Sequence, residues 1–378
     1  MRQMIDLSRQ WRFHLGEADK AFYKGYDDRA WRVVNLPHDW SVEAPFDLAC
    51  SSGTGYLPGG VGWYRKTFTL PQGLVGKRVL VTFGGVYKHS RCWVNSAYLG
   101  MRAYGYSTFT YDLTGLVRPG ENVLCVRAEH VDLSDSRWFT GAGIYRDVTL
   151  TLVDAACIRD VYAYTLSADG TGAEIAVEVE CAAGTVALSL LNSQGNPVAQ
   201  ATATAQADGA RVSARLLVPA PMLWSPECPN LYQLVCALNV AGAETDEVRV
   251  PFGIRVFRFD PNHGFFLNHG SMKLKGVCLH HDAGVLGAAV PLSVWRNRFA
   301  KLKAVGCNAI RFSHNPPDPR VLDLCDEMGF LVMDEAFDEW EGCKNKWTYG
   351  HNVNPPKHYG YSDDFPQWHE RDLAAQVE

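Results

Sequence analysis

Lys273-Leu-Lys-Gly-Val-Cys-Leu279, Cys307-Asn-Ala-Ile-Arg-Phe312 and Phe330-Leu-Val-Met-Asp334 are three short apolar runs in the last third of the chain. Each has the length and composition of a buried strand. Between the first and second, Trp295, Phe299 and Leu302 recur at i, i+4 and i+7, the spacing of one helical face. Ser293 is placed to cap that helix and Gly306 to end it. Between the second and third, Val321, Leu324, Cys325 and Met328 form another such stripe, stopped at Gly329. Strand–helix–strand–helix–strand implies parallel pairing. A complete eight-fold barrel takes roughly 250 residues, and fewer than half of that run from Asp260 to Glu378. A barrel reading therefore requires chain beyond residue 378; the alternative is a small open α/β domain.

Upstream the period changes. From about Ala156 to Val256 aromatics thin out and Ala, Val and Thr dominate. Ile175, Val177 and Val179 alternate with Glu174, Glu178 and Glu180, and Val186, Leu188 and Leu190 with Ala187 and Ser189. Alternation of this kind gives a strand one buried and one wet face. About a hundred residues of it predict an immunoglobulin-like sandwich, without the paired Cys and Trp of the antibody type. Before Asp154 the chain is rich in aromatics, with strand-like runs such as Lys77–Phe83 and Asn122–Arg127. Gly, Pro and Asn punctuate these runs, which read as an antiparallel sandwich. The expected division is 1–154, 155–256 and 257–378.

The chain has 378 residues, long for one domain, and 47% hydrophobic against 20% charged residues supply real cores. A net charge of -5 with no Lys/Arg-rich run argues against a nucleic-acid partner. The first residues lack the apolar stretch of a signal peptide. The most apolar window, around Gly284–Trp295, is too short and too broken by Gly and Pro to span a membrane. Eleven cysteines form no CxxC pair, and Cys125, Cys278, Cys307 and Cys325 sit in apolar patterns. They read as small hydrophobes, which makes a reducing cytoplasm the expected compartment. No GxSxG elbow, P-loop or GxGxxG after a strand is present. Gly59-Gly-Val-Gly62 precedes a strand and is no phosphate cradle.

Several longer stretches stand in a fixed order. They are Leu36-Pro-His-Asp-Trp40, Gly59-Gly-Val-Gly-Trp-Tyr-Arg65, Ser136-Arg-Trp-Phe-Thr-Gly-Ala-Gly-Ile-Tyr-Arg146, and Leu223-Trp-Ser-Pro226 with Asn230-Leu-Tyr232. Lys275-Gly-Val-Cys-Leu-His-His-Asp282, Asn308-Ala-Ile-Arg-Phe-Ser-His-Asn-Pro316 and Met333-Asp-Glu-Ala-Phe-Asp338 follow. In these the chain resembles glycoside hydrolase family 2, the β-galactosidases, β-glucuronidases and β-mannosidases, over essentially its whole length. The resemblance implies two antiparallel β-sandwiches, one jelly-roll-like and sugar-binding and one immunoglobulin-like, then the first part of a (β/α)8 TIM barrel. It implies a retaining hydrolase of terminal β-glycosides with a carbohydrate substrate and no cofactor, and it leaves a homo-oligomer open. The His-His-Asp and Phe-Asp-Glu-Trp stretches are closer in style to β-galactosidases. A β-glucuronidase, a β-mannosidase or a non-catalytic carbohydrate-binding protein are the alternatives.

Barrel sites lie at the C-terminal ends of the strands. The three predicted strands end at His280-His281, Ser313-His314-Asn315 and Asp334-Glu335, so three polar clusters fall on one rim. Neighbours on a strand point to opposite faces, so His280 and His281 cannot share a pocket. The resemblance makes His280 a substrate-binding histidine, against a packing role, and His281 and Asp282 scaffolding. Arg311 and His314 match the family's Arg-x-x-His. Arg311 either orients a catalytic carboxylate or forms a structural ion pair with Asp334 or Glu335. His314 is placed to bond sugar hydroxyls. Asp334 and Glu335 point apart, whereas retention needs two carboxyls about 5–5.5 Å apart across the scissile bond. They read as network residues. In the family the acid/base lies in an Asn-Glu pair after the fourth strand and the nucleophile later. No Asn-Glu occurs in this chain, so both are expected after Glu378 and residues 1–378 alone are expected to be inactive.

Asp338 lies further out on the rim. The Glu and His that hold a metal in some β-galactosidases fall at Glu339 and Glu341; the histidine is missing, and no metal site is expected. Arg137 and Trp138 belong to a motif that reaches the barrel from the side in the family. Trp347, Tyr349, Tyr359 and Tyr361 either form sugar subsites or pack against a neighbouring domain or subunit. Trp40, Trp63, Tyr64 and Trp93 read as sandwich core rather than a lectin groove.

Overall fold

The computed structural model describes residues 2–132, 134–347 and 357–377; Tyr349 lies outside them. The first sandwich pairs a six-stranded sheet, built around Gly60–Leu70 and Gly120–His130, with a four-stranded sheet built around Lys77–Phe83 and Val148–Asp154. All pairings are antiparallel. Trp11, Phe13, Trp40, Tyr64, Phe83 and Leu124 fill the space between them. Trp40, Trp63 and Tyr64 are buried, whereas Trp93 is partly buried and stacks on Trp63 in a satellite cluster. The predicted runs Lys77–Phe83 and Asn122–Arg127 lie on strands Lys77–Phe83 and Gly120–His130.

The second sandwich has three strands facing four. Ile175, Val177, Val179, Val186, Leu188 and Leu190 all point into its core, as their alternation requires. No helix among the described residues is long and apolar enough to cross a membrane.

After a small antiparallel unit at Phe257–Asp260, Gly264–Leu267 and Gly270–Ser271, the fold becomes α/β. Strands Gly276–Leu279, Ala309–Phe312 and Leu331–Met333 pair in parallel, in register Cys278–Arg311–Met333. Helices Leu292–Ala304 and Pro319–Met328 cover one face, where Trp295, Phe299, Ile310, Phe312, Leu324 and Phe330 form a core. Two local expectations fail. Ser293 does not cap the first helix: Pro291 takes the N-cap position, its fixed φ suiting the entry and its carbonyl accepting from Val294 N at 2.9 Å. The Lys273–Leu279 run is not buried either. Its strand is only Gly276–Leu279, and Cys278 is exposed because the second face of the sheet lies open. Cys125 and Cys325 are buried as expected, Cys307 is partly buried, and all eleven cysteines are free thiols.

The first sandwich grips the barrel rim along a broad front. Asp39 Oδ2 accepts from Ala288 N at 2.9 Å, Arg146 Nη2 donates to Pro316 O at 2.9 Å, and Tyr104 O–H donates to Ala336 O at 2.6 Å. The second sandwich holds the opposite side, where Trp224 Nε1 donates to Asp326 O at 2.9 Å.

Candidate active site

The three strand ends converge on one mouth. At its centre Glu335 is held from two sides: Arg311 pairs with Oε1, and His314 Nδ1 donates to Oε2 at 2.9 Å. That bond fixes the His314 ring and leaves Nε2 for a ligand. Arg311 also reaches Cys278 Sγ at 3.6 Å, and these two bonds raise its pKa and keep it charged. Of the two readings of Arg311, the contact present is the ion pair with Glu335. The His280 ring centroid lies 5.6 Å from that of His314. Burial, with the His314 ring beside it, pushes the His280 pKa below the usual imidazole value, so the ring is neutral at pH 7. Its Nδ1 has no partner among the described residues.

His281 goes the other way. Its Nε2 donates to Thr140 O at 2.9 Å and its ring packs on Tyr106, inside the interface with the first sandwich. Asp334 and Glu335 likewise part company. Asp334 accepts from Gln376 Nε2 at 2.8 Å, on the last helix, Phe365–Val377, and burial raises its pKa. It does not join the cluster around His314.

The fourth wall comes from the first sandwich. Trp138 sets its ring 5.3 Å from both His280 and His314, and its Nε1 donates to Tyr106 Oη at 3.3 Å. A half-buried indole beside two imidazoles is an apolar plate edged with hydrogen-bonding groups, the chemistry that recognises a sugar ring. Arg137 pairs with Asp338 at 2.6 Å, and Lys344 reaches the same oxygen at 2.9 Å. The loop carrying Trp138 is anchored beneath by Asp135, which meets the buried Lys88 at 2.9 Å and His130 at 3.3 Å. Burial opposes the Lys88 charge, yet Asp135 and Asp132 raise its pKa overall.

Among the rim aromatics, Tyr361 is packed rather than presented. Its ring lies 4.3 Å from Tyr104, and its hydroxyl donates to Asp372 Oδ2 at 2.6 Å. The Trp347 carbonyl accepts from Ser51 and Ser134 hydroxyls of the first sandwich, at 3.1 and 3.2 Å. Lys357 lies over the Tyr359 ring at 4.6 Å. Lys344, Lys346 and the Lys88–Asp135 anchor escaped the sequence reading, because nothing in their spacing marks them.

Three family models cover nearly the whole chain: glycosyl hydrolases family 2, sugar binding domain, over residues 5–153, glycosyl hydrolases family 2 over 156–255, and its TIM barrel domain over 261–377. The chain belongs to glycoside hydrolase family 2. It is 41% identical over 387 residues to a β-galactosidase of Bacteroides ovatus, matching 98% of this chain and 44% of that protein. It is 30% identical to a β-glucuronidase of Bacteroides fragilis, over 88% of this chain and 49% of that protein. A solved family 2 member from Bacteroides cellulosilyticus superposes with a TM-score of 0.92 at 35% identity, over 99% of this chain and 49% of that one. The chain thus spans about half the length of the relatives it matches.

Proposed function

We propose that the protein is a retaining exo-β-glycosidase acting on terminal β-galactosides. The observation that carries this reading is the mouth formed by Trp138, His280, His314 and Glu335. The indole and the two imidazoles recognise the ring and hydroxyls of the terminal sugar. Arg311 and Glu335 keep His314 oriented, so substrate binding costs little reorganisation. Double displacement then needs two facing carboxyls. Asp334 and Glu335 are committed to separate partners and do not supply them. The acid/base and nucleophile glutamates are assigned to sequence after Glu378, and residues 1–378 alone are inactive on this reading.

Relatives named β-glucuronidase keep a uronate-specific enzyme as the second reading. A panel of nitrophenyl β-galactoside, β-glucuronide and β-mannoside on the intact protein separates them. The expected order puts galactoside first in kcat/KM. Preference for the glucuronide would replace the first reading with the second, and turnover by residues 1–378 alone would overturn the assignment of the missing carboxylates.

A further inference from the structure

The rim that follows the third barrel strand contains a buried ion pair whose Glu339 borders the pocket lined by Trp138 and His314. Glu339 and Lys346 are both almost fully enclosed, and the ammonium meets the carboxylate directly. Lys346 Nζ also donates to Lys344 O at 3.2 Å, while Glu339 Oε1 accepts from Lys344 N at 2.9 Å. Gly360 closes over the pair: a Cβ there would run into Glu339 and lie 2.8 Å from Lys346 Nζ. The residue before Glu339 is Asp338, which holds Arg137, and the residue after Lys346 is Trp347, whose carbonyl docks on the first sandwich. The pair therefore sits at the root of the rim that delivers the first sandwich to the site.

Family resemblance sets Glu339 and Glu341 aside for a divalent cation. Magnesium takes six ligands in octahedral geometry, several of them waters, and needs at least one carboxylate free to bind it. Here the Glu339 carboxylate is already taken by an ammonium, and Glu341 is exposed. Among the described residues no three His, Cys, Asp or Glu side chains form a group that could hold a metal. These residues do not fit the ion.

We infer that the Lys346 ammonium is itself the cation of this rim, standing beside Glu339 where some relatives bind a metal, and that it holds Asp338 and Arg137 in place as a positioning residue. A charge tethered to the chain cannot be chelated, and removing it strands Glu339 as an unpaired buried carboxylate. Its consequence for catalysis rests on the glycosidase reading; its consequence for ion binding does not.

The test titrates the intact protein with magnesium and manganese chloride, comparing wild type with Glu339→Gln. Both are expected to take up the same amount of ion, because none binds at Glu339. Activity on the preferred aryl glycoside is expected to survive dialysis against EDTA. Lys346→Ser is expected to lose on the order of 100-fold in kcat/KM through a misplaced rim, with part of the loss restored by added methylammonium. Ion uptake that Glu339→Gln abolishes would overturn the inference, as would a Lys346→Ser enzyme as active and heat-stable as wild type. Should Lys346→Ser not fold, the titration decides alone. An inactive wild type would count against the glycosidase reading and leave the titration untouched.

Discussion

At the scale of single residues, His281 shows how burial converts a titratable side chain into an acid-labile one. Burial pushes its pKa down to about 4, only partly opposed by its bond to Thr140. In the unfolded chain the ring titrates near the usual 6.5. Above that pH both states are neutral and the residue contributes no pH dependence. As pH falls from about 6.5 toward 4 the unfolded chain takes the proton first, so stability drops. The loss reaches on the order of 3 kcal/mol and then levels off. His281→Gln keeps a donor for Thr140 and carries no charge. Its urea midpoint is expected to fall less between pH 7 and pH 4.5 than that of wild type, by a difference worth about 2 kcal/mol; equal losses would discard the idea. The residues of the mouth were legible because strand ends are: His280, His314 and Glu335 follow apolar runs whose parallel order sets one rim. The Arg311–Glu335 pair was among the readings, but the contacts made across the domain boundary were not legible. Arg137 and Asp338 are 201 positions apart, and no local pattern encodes a contact that only the docking of two domains creates.

At the scale of elements, the first two barrel helices end on glycines whose surroundings differ. Gly306 (φ +86°) follows Leu292–Ala304 and has open space where a Cβ would go. Gly329 (φ +75°) follows Pro319–Met328, and a Cβ there would press to 2.5 Å on the Pro226 carbonyl of the second sandwich. Alanine in the left-handed region costs about 1–2 kcal/mol. Gly306→Ala is expected to cost only that, and Gly329→Ala clearly more, because rigid backbone must also move. Urea denaturation of the two variants checks this, and equal costs would show that the second sandwich yields freely at Pro226. Both stops were readable, since a glycine after an apolar stripe has one usual meaning. The helix start was not, because Ser293 offers a cap that Pro291, two residues earlier, pre-empts through its backbone.

At the scale of the whole molecule, the parallel sheet is covered by helices on one face only. A parallel sheet is stable with both faces covered. The second face of this one, with Cys278, Leu331 and Met333, borders an open depression of about 860 Å³ that Leu274, Phe257 and Phe259 extend. Met333 is 58% exposed and Phe259 72%, far more apolar surface than a solvent-facing strand usually shows. Arg311 stands on the same face and pairs with Glu335 of the candidate site. Whatever covers this surface therefore also shields the Arg311–Glu335 pair from water and strengthens it. A polypeptide limited to residues 1–378 is expected to enhance the fluorescence of anilinonaphthalene sulfonate and to self-associate in sedimentation velocity. The intact protein, if it completes the barrel, is expected to do neither. A dye-silent, monodisperse 1–378 polypeptide would mean that the open face closes on itself, and with that the case for further strands beside Gly276–Leu279 and Leu331–Met333 would fail.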